Sequence, residues 1–469
     1  MRNIFKNIHT KLIVIMLSSL NIVCPATFTV TTVSDTYPNG HVGELRWAIR
    51  QSNKLGGTNT INFNIPGKGP FTIKPARDLD AITSKVTING YSQPKSFANT
   101  LANGNNAKLL IVLNGNNYKT GNAYAGTGNG LTFNHGSQGS VVTGLVINGW
   151  INTGIFINSA NNISIVGNFI GTNPQGTGEF ANQAGIFVES ATGTVIGTPK
   201  IADRNVIAGS FFYFNESACI EISQANNTSI QNNYIGTDKT GTVALGNSLA
   251  GVECISCNNV TIGGVSPMAR NLISGHALIA LSLIAVTKSL VQNNYIGTDI
   301  TGSVALSNGN MGVSISGGGF KNSSSGNTVS NNLISAHNIG IKLGYSDRVG
   351  ANQNIVQGNY IGTNAAGTTA LPNNYGIVVN DGSNTIGGTI ASAGNVISGN
   401  TIGAIVLYGA LAMHNAIRGN YIGVNANNTG DLPNGFGIKI GLAGGLISGS
   451  NTVQNNTFGG SNTTTTLCA

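Results

Sequence analysis

The chain has 469 residues, of which 66 are glycine and only 8% are charged, against about 25% charged in ordinary globular proteins. Regular short runs of Ile, Val and Leu exclude disorder, which needs a charged chain poor in those residues. The formal charge of +8 falls to +5 once Arg2, Lys6 and Lys11 are set aside; what remains forms no basic cluster, which excludes a nucleic-acid partner.

In chain order, residues 1–26 have the layout of a secretory signal peptide. Basic Arg2, Lys6 and Lys11 precede an apolar run from Leu12 to about Leu20, and Cys24-Pro25-Ala26 leads to cleavage before Thr27. The run is too short to span a bilayer, so the mature chain is expected to carry no transmembrane segment. Export permits disulfides among Cys219, Cys254, Cys257 and Cys468. Cys254 and Cys257 are read as buried thiols rather than a local bridge.

Residues 27–100 read as a cap and the first turns of a longer stack. Phe28-Thr29-Val30-Thr31 and Ile61-Asn62-Phe63 read as strands. Between them Leu45, Ala48 and Ile49 recur at helical spacing, which predicts a short amphipathic helix over Gly43–Gln51 with Trp47 turned inward. An open stack of strands exposes apolar rims, and this helix is expected to cover one of them.

From residue 101 to 460 two repeats overlap. Apolar-x-apolar triplets behind a small residue, such as Gly154-Ile155-Phe156-Ile157, Gly251-Val252-Glu253-Cys254 and Gly437-Ile438-Lys439-Ile440, recur every 31 residues or so. Alternation of this kind is a strand with one buried face, so the middle residue points outward. Two further short strands per turn predict an all-β, triangular parallel β-helix of about 12–13 turns. Over it runs Asn-(Phe/Tyr)-Ile-Gly, starting at Asn168, Asn233, Asn294, Asn359 and Asn420, 65, 61, 65 and 61 residues apart. Asparagines at Asn161-Asn162, Asn226-Asn227, Asn258-Asn259 and Asn384 read as corner residues that bond neighbouring turns. Residues 461–469 read as a C-terminal tail.

The Asn-Tyr-Ile-Gly-Thr units, the Gly-Ile-x-Ile triplets and the start through Gly43-Glu44-Leu45-Arg46-Trp47-Ala48-Ile49 resemble exported bacterial right-handed parallel β-helix proteins of the pectate-lyase-like superfamily. The resemblance implies the right-handed fold and an exported protein. It does not imply one activity, because the superfamily holds lyases, hydrolases, epimerases and adhesins. The Asn-Thr-Asp, Asp-Asp, Gly-His-Gly and Arg-Ile-Lys signatures of its polygalacturonases are missing here, as is the Asp-Pro-His-Glu of its alginate epimerases.

Candidate chemistry therefore rests on the outward stripe, which reads Phe156, Phe187, Glu221, Glu253, Ser282, Ser314, Lys342, Val378, Val406 and Lys439. Glu221 and Glu253 fall on adjacent turns, at about 5 Å, and Glu189 lies on the same face. The loop Phe211-Phe212-Tyr213-Phe214-Asn215-Glu216 adds aromatics. One reading makes Phe156, Phe187, Phe211, Phe212, Tyr213 and Phe214, with Glu189 and Glu216, a sugar platform, and Glu221 with Glu253 a general acid and base or a calcium site. The other folds the loop over a corner and leaves the glutamates solvated. His276 and His337 are two turns apart, too far for a shared metal, and read as corner residues. Asp238 and Asp299 read as turn caps, with calcium the alternative. Two functions stay open: a secreted or surface scaffold that binds a polysaccharide or cell-surface glycan, and a polysaccharide-acting enzyme with its site on the Glu189–Glu253 face.

Overall fold

The computed structural model describes residues 24–115, 128–210, 218–246, 249–306, 309–318, 322–345, 350–441, 450–460 and, for the backbone alone, 466–467. They form a right-handed parallel β-helix with one α-helix, α1 (Leu45–Leu55). Three parallel sheets of 14, 13 and 12 strands run the length of the stack. The first sheet begins at Thr27–Val30, the second at Phe71–Ile73 and the third at Leu131–Phe133. Each turn adds one strand to each sheet, so apolar side chains stack into a single column from Val30 to Ile440.

At the N-terminal end α1 buries Leu45, Ala48 and Ile49 as the spacing predicts, and Arg46 with them. The Arg46 guanidinium donates to both carboxylate oxygens of Asp35 (2.8 and 2.9 Å) and to the carbonyls of Arg77 and Asp78. Trp47 is only partly buried; it packs edge-on against Phe28 at 5.8 Å and reaches the core from its rim.

The turn between first and second sheets explains the motif asparagine. Asn294 donates to Ile262 O, Gln292 O and Asn332 Oδ1, and its Oδ1 accepts from the Asn271 side chain and amide. Asn168, Asn205, Asn233, Asn271, Asn332, Asn359, Asn395 and Asn420 repeat this, forming a buried ladder. A second buried ladder runs through Asn327, Asn354, Asn384 and Asn415. That ladder lies on the corner between the third and first sheets, where Asn227 and Asn259 bond each other at the exposed surface.

The 61- to 65-residue period also has a cause. Every second turn carries a small hairpin, closed by the bridges Thr172–Glu179, Thr237–Ala244, Thr298–Ala305, Thr363–Ala370 and Val424–Asp431. Successive hairpins bond end to end, as in Ile300 N to Gly241 O and Ala365 N to Gly302 O, both 2.9 Å. A hairpin is therefore two turns thick, and two turns are the true repeat. Asp238 and Asp299 cap these hairpins, accepting from Thr240 Oγ1 and Thr301 Oγ1 and from amides of Val243 and Val304.

Candidate functional site

The third sheet places the outward stripe in one register. Phe156 pairs with Phe187, Phe187 with Glu221, Glu221 with Glu253, and the row continues through Ser282, Ser314, Lys342, Val378 and Val406 to Lys439. Outward does not mean exposed along the whole row. Ser282 and Ser314 are 3% and 2% exposed and Val378 and Val406 both 6%.

At the N-terminal end of the stripe the rings of Phe156 and Phe187 stack at 5.3 Å and 27°. They line a cleft of about 180 Å³ with Glu221, and its polar walls are Asn129, Asn152, Thr153 and Gln183. Those four side chains were missed by the sequence reading, because they lie outside the strand triplets on segments that enter the sheet from the corner. Glu189 lies two residues beyond Phe187, in register with Asn158 and Ser223. Glu253 stands one strand further along from Glu221. The aromatic loop, with Phe211, Phe212, Tyr213, Phe214 and Glu216, lies outside the described residues.

Further along the same face Val378 and Val406 form the floor of a second recess of about 300 Å³, with Lys342 and Lys439 at its ends and Tyr375, Tyr408 and Phe436 around it. The Lys342 Nζ sits 3.9 Å from the Tyr345 ring centroid. Chemically the face thus offers aromatic surface, amide donors and acceptors, two adjacent carboxylates and, several turns away, two amines. Among the described residues no three His, Cys, Asp or Glu side chains gather as a metal cluster. Cys219, Cys254 and Cys257 are buried free thiols, and burial pushes each thiol pKa up.

No protein-family profile and no curated protein matches the sequence. Solved structures with a similar fold include PfbA, a surface adhesin of Streptococcus pneumoniae, at 13% identity and TM-score 0.41, covering 89% of this chain and 93% of that one. The Dettilon tailspike protein is 12% identical, with TM-score 0.41, over 81% and 68% of the two chains. A periplasmic alginate epimerase, AlgG, is 10% identical, with TM-score 0.36, over 87% and 71%. At such identities the likeness concerns the fold alone. No helix among the described residues is long and apolar enough to cross a membrane.

Proposed function

We propose that this chain is a secreted or cell-surface β-helix protein whose third sheet binds a polysaccharide or cell-surface glycan. The observation that carries the reading is the Phe156–Phe187 stack at the wall of a cleft whose other walls are amides and a carboxylate. Ring faces bury the apolar side of a sugar at little entropic cost, while amides and carboxylates satisfy its hydroxyls. The enzyme reading draws on a second observation, the adjacent register of Glu221 and Glu253, since carboxylates about 5 Å apart suit a retaining glycosidase.

A glycan array probed with the mature protein tests the reading. Phe156→Ala/Phe187→Ala is expected to lose at least tenfold in affinity for whatever glycan the parent binds. An unchanged profile sinks the proposal. Glu221→Gln separates the classes: it leaves a binding protein binding, but stops release of reducing ends if the pair works as acid and nucleophile. A cation held by these carboxylates would show as a drop in melting temperature on chelation that Glu221→Gln removes.

A further inference from the structure

The outer face of the second sheet forms the floor of a trough between the row of hairpins and the corner that carries the asparagine ladder. Its floor residues follow one register: Tyr234, Leu272, Tyr295, Leu333, Tyr360, Val396 and Tyr421. Over the first turns the chain fills this trough itself. The segment between Phe97 and Lys108, closed by an antiparallel bridge, lies in it. Ala107 and Leu109 join Val112, Val146, Phe169 and Val206 in a small apolar cluster separate from the main core.

Main-chain groups hold that segment. The Arg204 guanidinium lies 4.7 Å from the Tyr234 ring centroid and donates to the carbonyls of Leu101, Ala102 and Gly104. Gly104 N donates to Tyr234 Oη at 2.7 Å. Tyr234 is consequently 1% exposed.

Two turns on, the same pair recurs with nothing among the described residues over it. The Arg270 guanidinium lies 3.9 Å from the Tyr295 centroid, anchored through Nε and Nη2 to Asn293 as Arg204 Nε is to Asn232. Arg270 Nη1, the counterpart of the atom that holds Leu101 and Gly104, has no acceptor among the described residues. From Arg270 past Tyr295 and Tyr360 to Tyr421 the trough is a groove of about 450 Å³, and all three tyrosines are partly exposed. Among the described residues that line the groove none is acidic, and Arg270 is the one cation.

We propose that this groove docks an uncharged loop of a partner protein, bound through its main-chain carbonyls and amides as the chain's own residues 97–108 are bound over Arg204 and Tyr234. A guanidinium stacked on a ring is pre-organised and loses little entropy when it donates to a run of carbonyls. An uncharged polyamide is the occupant for which the molecule already contains the matching half.

The probe is a head-to-tail cyclised peptide of residues 97–107, which carries no charged side chain, labelled and titrated with the mature protein by fluorescence polarisation. Saturable binding is expected, weakened at least tenfold by Arg270→Ala and by Ser392→Trp, which fills the groove from an exposed position. Phe156→Ala/Phe187→Ala should leave it unchanged, so that failure here and failure of the glycan reading are distinguishable. Melting temperatures within a few degrees of the parent confirm that the variants fold. No binding, or binding that survives both groove variants, overturns the proposal. It is equally overturned if an oligomer of N-acetylglucosamine binds in the groove, with loss in Ser392→Trp, while the peptide does not.

Discussion

His276 and His337 are the residues whose surroundings depart most from what their type would lead one to expect. Both are almost fully buried, at 1% and 5% exposure, in a corner that asparagines occupy elsewhere: Asn373 accepts at Oδ1 from His337 N, and donates to Asn400. Room exists because the second residue of the strand behind is glycine, in Ala250–Ile255 and in Met311–Ser316. A Cβ on Gly251 would stand 2.6 Å from His276 Nε2, and one on Gly312 3.2 Å from His337 Cε1. Burial lowers the imidazole pKa to about 3 for His276 and about 4 for His337. Unfolded histidine titrates near 6.5, so between there and about 4 the unfolded chain takes up protons that the folded chain refuses. Stability should therefore be full above pH 6.5 and fall as pH drops toward 4, by roughly 3 kcal/mol for His337 at about 1.4 kcal/mol per pKa unit. His276→Asn/His337→Asn is expected to flatten the denaturation midpoint across that window. A double variant that keeps the parent's slope would refute this account.

At the scale of the element, the unit that matters is the tight turn rather than the strand. Strands of two or three residues, such as Leu290–Gln292 and Tyr295–Ile296, offer few ladder bonds of their own. The asparagine between them supplies what a longer strand would. Asn294 is fully buried, and its loss would strand the carbonyl of Ile262 and the amide of Asn271, while Gln292 O keeps the amide of Gly264. Unpaired buried groups cost about 1–3 kcal/mol each. Asn294→Ala should thus lower stability by several kcal/mol, whereas Asn258→Ala, which loses one exposed bond to Thr287 Oγ1, should stay within about 0.5 kcal/mol. Chemical denaturation of the pair decides it, and equal effects would show that the ladder does not carry the turns.

At the scale of the whole molecule, stability passes from turn to neighbouring turn, and only the ends require special cover. The N-terminal end has α1, fixed by the buried Arg46–Asp35 pair. That cap follows directly on the segment read as an export signal, so the exported protein is expected to begin at or near Thr27, leaving Thr27–Val30 to pair with Thr60–Phe63. Intact mass spectrometry of the secreted form checks this. A native N-terminus at Met1, or a lipid on Cys24, contradicts it.

The sequence by itself determined the architecture, because a parallel stack writes its period into the chain: alternation at Ile155, Phe156 and Ile157 marks the buried face, and recurrence every 31 residues or so marks the turn. It also placed Phe156, Phe187, Glu221 and Glu253 in one row, since register in a repeating stack follows from counting. What counting does not carry is how far a side chain in that row is covered. The alternation points Ser314 outward, yet it is 2% exposed, and the residue in register with it on the next turn, Lys342, is 28 residues away. The cleft walls Asn129, Asn152 and Gln183 converge only when three segments fold together. The same holds for the second-sheet trough, where identical floors are closed over Tyr234 and open over Tyr360. Only the path of residues 97–108, whose Gly104 stands 130 residues before the Tyr234 it covers, decides which is which.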